Sequence, residues 1–152
     1  MNAKAPERST AGGTTVLAFD FGEKRIGVAV GELEVGIAHP LATIDAEDNA
    51  ARFAAITRLV EEWLPSRFVV GLPMHADGTE HELSRLARRF GQRLEGRYAM
   101  PVELVDERLT SRAAEERLRE SGLGSRRIQQ SLDAAAACEI LNAYFESTGR
   151  RS

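Results

Sequence analysis

The segment Val16-Leu17-Ala18-Phe19-Asp20-Phe21-Gly22 ends a nearly unbroken apolar run on an aspartate, and Arg25-Ile26-Gly27-Val28-Ala29-Val30 follows directly behind it. A run without polar alternation predicts a strand covered on both faces. Gly22-Glu23-Lys24 supplies a turn, and the second stretch returns as the antiparallel partner of a hairpin. An ionised carboxylate in apolar surroundings is expensive unless something pairs with it. The chain must therefore bury both faces of a sheet and also find a partner for Asp20. An Asx turn capping the following amides is one solution; a bound cation is another.

The rest of the chain fits such a sheet. Val35 to His39 is expected as a short third strand ended by Pro40. Asn49 to Leu64 is expected as a helix capped by Asp48 or Asn49, with Phe53, Ile56, Leu59, Val60 and Trp63 at helical spacing and Pro65 as its stop. Arg67 to Gly71 reads as a strand, followed by a loop from Leu72 to Thr79. Glu80 to Gly96 is an amphipathic helix with Leu83, Leu86, Ala87, Phe90 and Leu94 on its apolar stripe and Arg85, Arg89, Arg93 and Arg97 four residues apart on another face. Pro101 to Asp106 is a strand, Ser111 to Arg119 a short charged helix, Ser121 to Ser131 a loop, and Leu132 to Glu146 the last helix. Three strands followed by alternating helices and strands imply an α/β fold with a mixed sheet and helices on both faces. Its 152 residues suffice for one domain with a sizeable core. We expect the domain to span residues 15–147, between tails at 1–14 and 148–152.

Charge bears on the partner. The formal net charge of −3 speaks mildly against nucleic acid, but local fields matter more than the sum. Apart from Lys4 and Lys24 the basic residues are arginines, clustered at Arg85, Arg88, Arg89, Arg93 and Arg97 and again at Arg117, Arg119, Arg126 and Arg127. Arginine forks suit phosphate oxygens, although solvated helix faces balanced by glutamates are an equal explanation. The single cysteine, Cys138, forms no internal disulfide, no run is long enough for a membrane span, and the polar N-terminus does not resemble a signal peptide. A cytoplasmic protein is the expectation.

Two further acids stand in places comparable to Asp20. Glu107, in Asp106-Glu107-Arg108, follows a strand, where ligand sites of open α/β sheets gather; spacing alone leaves open whether Asp106 or Glu107 faces a site. Asp133 lies 4, 7, 8 and 11 residues before Ala137, Ile140, Leu141 and Tyr144, on the stripe of the last helix that faces the sheet. A helix-dipole role near an N-terminus would also explain it. Taken together, Asp20, Glu107 and Asp133 point to a hard divalent cation, which wants oxygen ligands, and hence to phosphodiester chemistry. No Cys/His spacing suggests zinc, and His39, His75 and His81 lack a nucleophilic serine motif.

Leu17 to Gly22 with Arg25 to Val30, Val70-Gly71-Leu72-Pro73 with Asp77-Gly78-Thr79-Glu80, Asp106 to Ser111, and Asp133 to Ala137 with Ile140-Leu141 closely resemble, in this order and spacing, the YqgF family. Its members are Holliday-junction-resolvase-like proteins described as pre-16S rRNA nucleases. The resemblance implies an RNase H-like fold and a cytoplasmic, Mg²⁺- or Mn²⁺-dependent nuclease. It also implies catalytic, metal-binding roles for Asp20, Glu107 and Asp133, with Glu107 chosen over Asp106. Candidate backbone-tracking residues are Arg25, Arg85, Arg89, Arg93, Arg108, Arg126 and Arg127, and Gly71, Pro73 and His75 border the site. His75 stands where relatives carry asparagine, and Ile128 to Leu132 replaces a lysine or glycine common before the last aspartate. The substrate is expected to be structured RNA, with branched DNA as the alternative, acted on by a monomer or weak homodimer. Asp20-Phe21-Gly22 with Gly27-Val28 also resembles the first phosphate loop of actin, Hsp70 and sugar-kinase ATPases, which need two such domains. A non-catalytic RNA-binding protein of the same fold is the third reading.

Overall fold

The computed structural model describes residues 13–109 and 126–148. Strands β1 (Thr15–Phe21) and β2 (Ile26–Glu32) form the expected antiparallel hairpin, with Asp20 opposite Gly27. β3 (Ala38–Ile44) continues antiparallel on β2, β4 (Arg67–Leu72) runs parallel to β1, and β5 (Val102–Asp106) runs parallel to β4. The order β3-β2-β1-β4-β5 is thus three antiparallel strands followed by parallel ones, as the sequence implied.

Helices α1 (Asn49–Trp63) and α2 (Glu82–Tyr98) cover one face of the sheet, and α3 (Arg126–Thr148) covers the other. β1 shows why it lacks alternation. Leu17 and Phe19 pack with Phe53, Phe68, Phe90 and Leu94 on the first face, while Val16 and Ala18 pack with Ala137, Ile140 and Leu141 on the second. The Phe19 ring stands edge-on to Phe90 at 5.6 Å and tilted to Phe68 at 5.8 Å. The strands present Ala18, Ala29 and Gly27 to α3, which lets that helix rest on the β2 backbone at Gly27. Cys138 on α3 is half-buried; burial pushes its thiol up to about 11, which leaves it a neutral packing group at physiological pH. No helix among the described residues is long and apolar enough to cross a membrane.

Most element ends lie within two residues of expectation, and the departures that matter are at β3 and at the starts of α2 and α3. The third strand is Ala38–Ile44, not Val35 to His39, and Pro40 sits inside it opposite Ala29, where the register shifts. β3 is an edge strand, and an edge with a bulge tolerates the missing N–H. Val35 and Ile37 drew the strand assignment by their β-branched shape, but they lie on the preceding turn, 62% and 54% exposed. α2 starts at Glu82 rather than Glu80, because Glu80 is held by Arg88 outside the helix and the His81 amide donates to the Ser84 hydroxyl at 2.9 Å. α3 begins at Arg126 rather than Leu132, so Arg126 and Arg127 belong to its first turn and not to a loop. The short helix expected over Ser111 to Arg119 lies outside the described residues. Asp48 is the α1 cap, its carboxylate accepting from the Ala51 amide at 3.0 Å.

Candidate active site at the carboxyl edge of the sheet

Alternate residues of a strand share a face. Val16 and Ala18 face α3, so Asp20 faces it too, one step beyond the buried core at the carboxyl end of β1. Gly27 is its partner across the β1–β2 ladder. On the other side β1 and β4 are in register at Phe19 and Val70, so the next residue beside Asp20 is Gly71. The aspartate is therefore flanked by glycine on both neighbouring strands.

Each glycine makes room for another acid. A Cβ at Gly27 would stand 2.0 Å from the backbone oxygen of Asp133 and 3.1 Å from the Ala134 nitrogen, so α3 rests directly on the β2 backbone there. A Cβ at Gly71 would stand 2.6 Å from Glu107 Oε2 and 2.4 Å from Ile140 Cδ1, so the Glu107 side chain fills the space over β4. Asp20, Glu107 and Asp133 thus lie on the α3 face of the sheet, around the row Gly27–Asp20–Gly71. Asp133 lies two turns into α3, beyond the reach of the helix N-terminus, which removes the dipole explanation of its presence.

Position also separates Glu107 from Asp106. Glu107 opens a single 3₁₀ turn (Glu107–Leu109) and has the parity of Val105, which is buried against α3. Asp106 has the opposite parity and is engaged by Arg108, whose Nε lies 3.0 Å from Oδ2 and 3.1 Å from Oδ1, with Nη2 2.6 Å from Oδ2. That guanidinium, helped by the Arg108 amide, holds the Asp106 carboxyl below its ordinary range. Arg108 Nη1 also donates to the Ala76 carbonyl at 3.3 Å, tying the Leu72-to-Thr79 loop to the end of β5. The loop braces itself: the His75 amide donates to Thr79 O and the Gly78 amide to His75 O, both at 2.9 Å, and the Ser84 hydroxyl donates to the Pro73 carbonyl. The His75 ring meets His81 edge-on at 4.7 Å.

Arg25 is the basic residue brought to the acids. Its Nε donates to Asp133 Oδ2 at 2.8 Å, with the two side chains 29% and 17% exposed. Arg85 is paired with Glu82, and Arg89 and Arg93 are exposed on α2, which packs on the opposite face of the sheet from the acids. Arg126 and Arg127 precede Asp133 on the same helix.

The donor set of these three acids is all oxygen, which fits a hard cation. Among the described residues no three acids, histidines or cysteines are drawn close enough to enclose an ion as they stand.

Two contributors escaped the sequence reading. The pairing of Arg25 with Asp133 joins residues 108 apart and left no local signal. Arg52 did leave one, since it falls on the apolar stripe of α1 with Ile56. It is 4% exposed and donates from Nη2 to the Gly22 and Glu23 carbonyls at 2.7 and 2.6 Å and from Nε to the Ala46 carbonyl at 2.5 Å. Burial lowers its pKa. It fixes the turn between Asp20 and Arg25.

Comparison with known proteins agrees with this fold. The RuvX family, described as Holliday junction resolvase, matches residues 14–147, and the chain belongs to that family. A protein of Dechloromonas aromatica (strain RCB) is 62% identical over 133 residues, covering 88% of this chain and 91% of its own length. One of Methylobacillus flagellatus is 55% identical over 141 residues, covering 93% and 97%. Both bear the name "Putative pre-16S rRNA nuclease". Thermus thermophilus RuvC, solved in complex with a Holliday junction substrate, superposes with a TM-score of 0.55 at 17% identity, over 88% of this chain and 94% of that one. The fold is RNase H-like, and the family resemblance drawn from the motifs holds.

Proposed function

We propose that this chain is a cytoplasmic, divalent-cation-dependent nuclease that hydrolyses phosphodiester bonds in structured RNA, in the 5′-end processing of pre-16S ribosomal RNA. The observation that supports the reading is that Asp20, Glu107 and Asp133 come from three elements to one face at the carboxyl edge of the sheet, beside Gly27 and Gly71. The names of the relatives supply the substrate class.

Asp20, Glu107 and Asp133 would hold Mg²⁺ or Mn²⁺. When bound, such an ion activates water and offsets charge on the phosphoryl oxygens. Asp20 is the central donor, because it projects from the middle strand of the sheet between the two glycines. Glu107 approaches from β5 and Asp133 from α3, so the acids reach the row from three elements. The Leu72-to-Thr79 loop, clamped by Arg108 and Ser84, forms the wall through Gly71, Pro73 and His75. Contacts to nucleic acid would then go to the backbone, with steep salt dependence and little base preference.

The test is cleavage of an RNA carrying the unprocessed 16S 5′ leader, beside a four-way DNA junction, with Mg²⁺ or Mn²⁺ and then with chelator. We expect metal-dependent cleavage of the RNA that Asp20→Asn abolishes. The thermal midpoint of that variant should be unchanged or slightly higher, since one of several close acids is neutralised. Cutting of the junction alone would favour the DNA reading suggested by the family description. Normal cleavage by Asp20→Asn would overturn the site.

A further inference from the structure

Resting on the cation reading above, we propose that Arg25 is a positioning residue that competes with the cation for Asp133. Its guanidinium holds the carboxylate before the ion binds. Arg25 leaves Oδ2 when the ion is taken up, and then pairs with a phosphate oxygen of the substrate.

Three observations carry this. Arg25 shares the parity of Gly27 on β2 and lies two residues further toward the carboxyl edge, so its side chain starts on the acid-bearing face. The pair is made by Nε on Oδ2 at 2.8 Å, with Arg25 29% exposed, so the side chain has a way out to solvent. The backbone behind it is held, because Arg52 binds the Gly22 and Glu23 carbonyls. Only the side chain has to move. A guanidinium and a divalent cation drawn to one carboxylate repel each other, so each weakens the other's hold on it. The released guanidinium would sit beside the site, and a planar fork suits a phosphate better than an ammonium does. A partly exposed pair of this kind shifts an equilibrium by no more than roughly fivefold, so the exchange is not blocked by the pair it breaks.

The experiment is calorimetric titration of the full chain with Mn²⁺, without nucleic acid, comparing the unsubstituted protein with Arg25→Ala, the near-isosteric Arg25→Gln and Lys24→Ala. Loss of the competitor should tighten Mn²⁺ binding by roughly fivefold in both Arg25 variants. Lys24→Ala, which removes the same charge one residue away, should leave binding within about twofold. In the presence of the ion, the Arg25 variants should bind structured RNA more weakly, with a salt slope smaller by about 0.7–0.9 for the lost phosphate contact. Equal or weaker Mn²⁺ binding by the Arg25 variants, or equal tightening by Lys24→Ala, overturns the exchange while leaving the cation site standing. No saturable Mn²⁺ uptake by the unsubstituted chain overturns both.

Discussion

At the scale of single residues, Gly27 and Gly71 have different reasons to lack a side chain. At Gly27 the obstacle is backbone, the Asp133 carbonyl at 2.0 Å, and backbone cannot step aside without moving α3. At Gly71 the obstacles are the ends of two side chains, Glu107 Oε2 and Ile140 Cδ1, which can turn away. Gly27→Ala should therefore destabilise by about 3 kcal/mol, at the upper end for overpacking, and Gly71→Ala by about 1 kcal/mol. Activity should fall the other way relative to stability. Gly71→Ala leaves a folded protein with Glu107 displaced and cleavage reduced by roughly a hundredfold (a barrier rise of about 2.7 kcal/mol). Denaturant unfolding and single-turnover cleavage of the two variants check this, and equal stability losses would contradict it. Each of the three acids has an ordinary reading taken alone, and they stood out in the sequence only as a set, with the family resemblance choosing Glu107 over Asp106. Gly71 was placed at the border of the site, but the part of Gly27 was not legible, because a missing side chain shows its purpose only against its neighbours.

At the scale of the element, the turn between β1 and β2 depends on one buried charge. Arg52 satisfies the Gly22, Glu23 and Ala46 carbonyls and stands 5.4 Å over the Phe21 ring, with the Glu47 and Glu23 carboxylates partly offsetting the effect of its burial. Arg52→Met keeps much of the volume but strands those acceptors, which should cost about 2–3 kcal/mol. Arg52→Lys should recover less than half of that, because an ammonium cannot span carbonyls set for a planar fork. Hydrogen exchange of the Gly22-to-Arg25 amides measures the local effect; unchanged protection in Arg52→Met would show that the turn holds itself. Helix termini were the least legible level. The start of α3 at Arg126 was missed because residues 121 to 131, with two glycines and two arginines, read as a loop. The start of α2 was placed two residues early because Glu80 reads as a first-turn acid while its partner Arg88 holds it outside.

At the scale of the whole molecule, the succession of strands and helices was readable because β1, β2 and β4 are nearly unbroken apolar runs, and parallel neighbours need a helix between them. The assignment of faces was less readable. Two unequal layers result: most of the phenylalanines lie under α1 and α2, while the buried strand side chains packed under α3 are alanine and valine, and the acids lie on that side. This division bears on where nucleic acid lies. Arg89 and Arg93 made an obvious basic stripe in the sequence, yet α2 sits on the side of the sheet away from Asp20, Glu107 and Asp133. A backbone threaded past the acids should run along the α3 edge and the Arg108-clamped loop instead. Double replacement Arg89→Gln with Arg93→Gln should therefore leave the slope of log affinity against log salt within about 0.5 of the unsubstituted value. If both arginines touched phosphates, the slope would drop by about 1.4–1.8. Filter binding of a structured RNA between low and moderate salt distinguishes the two, and the larger drop would mean that the substrate wraps from one face of the sheet to the other.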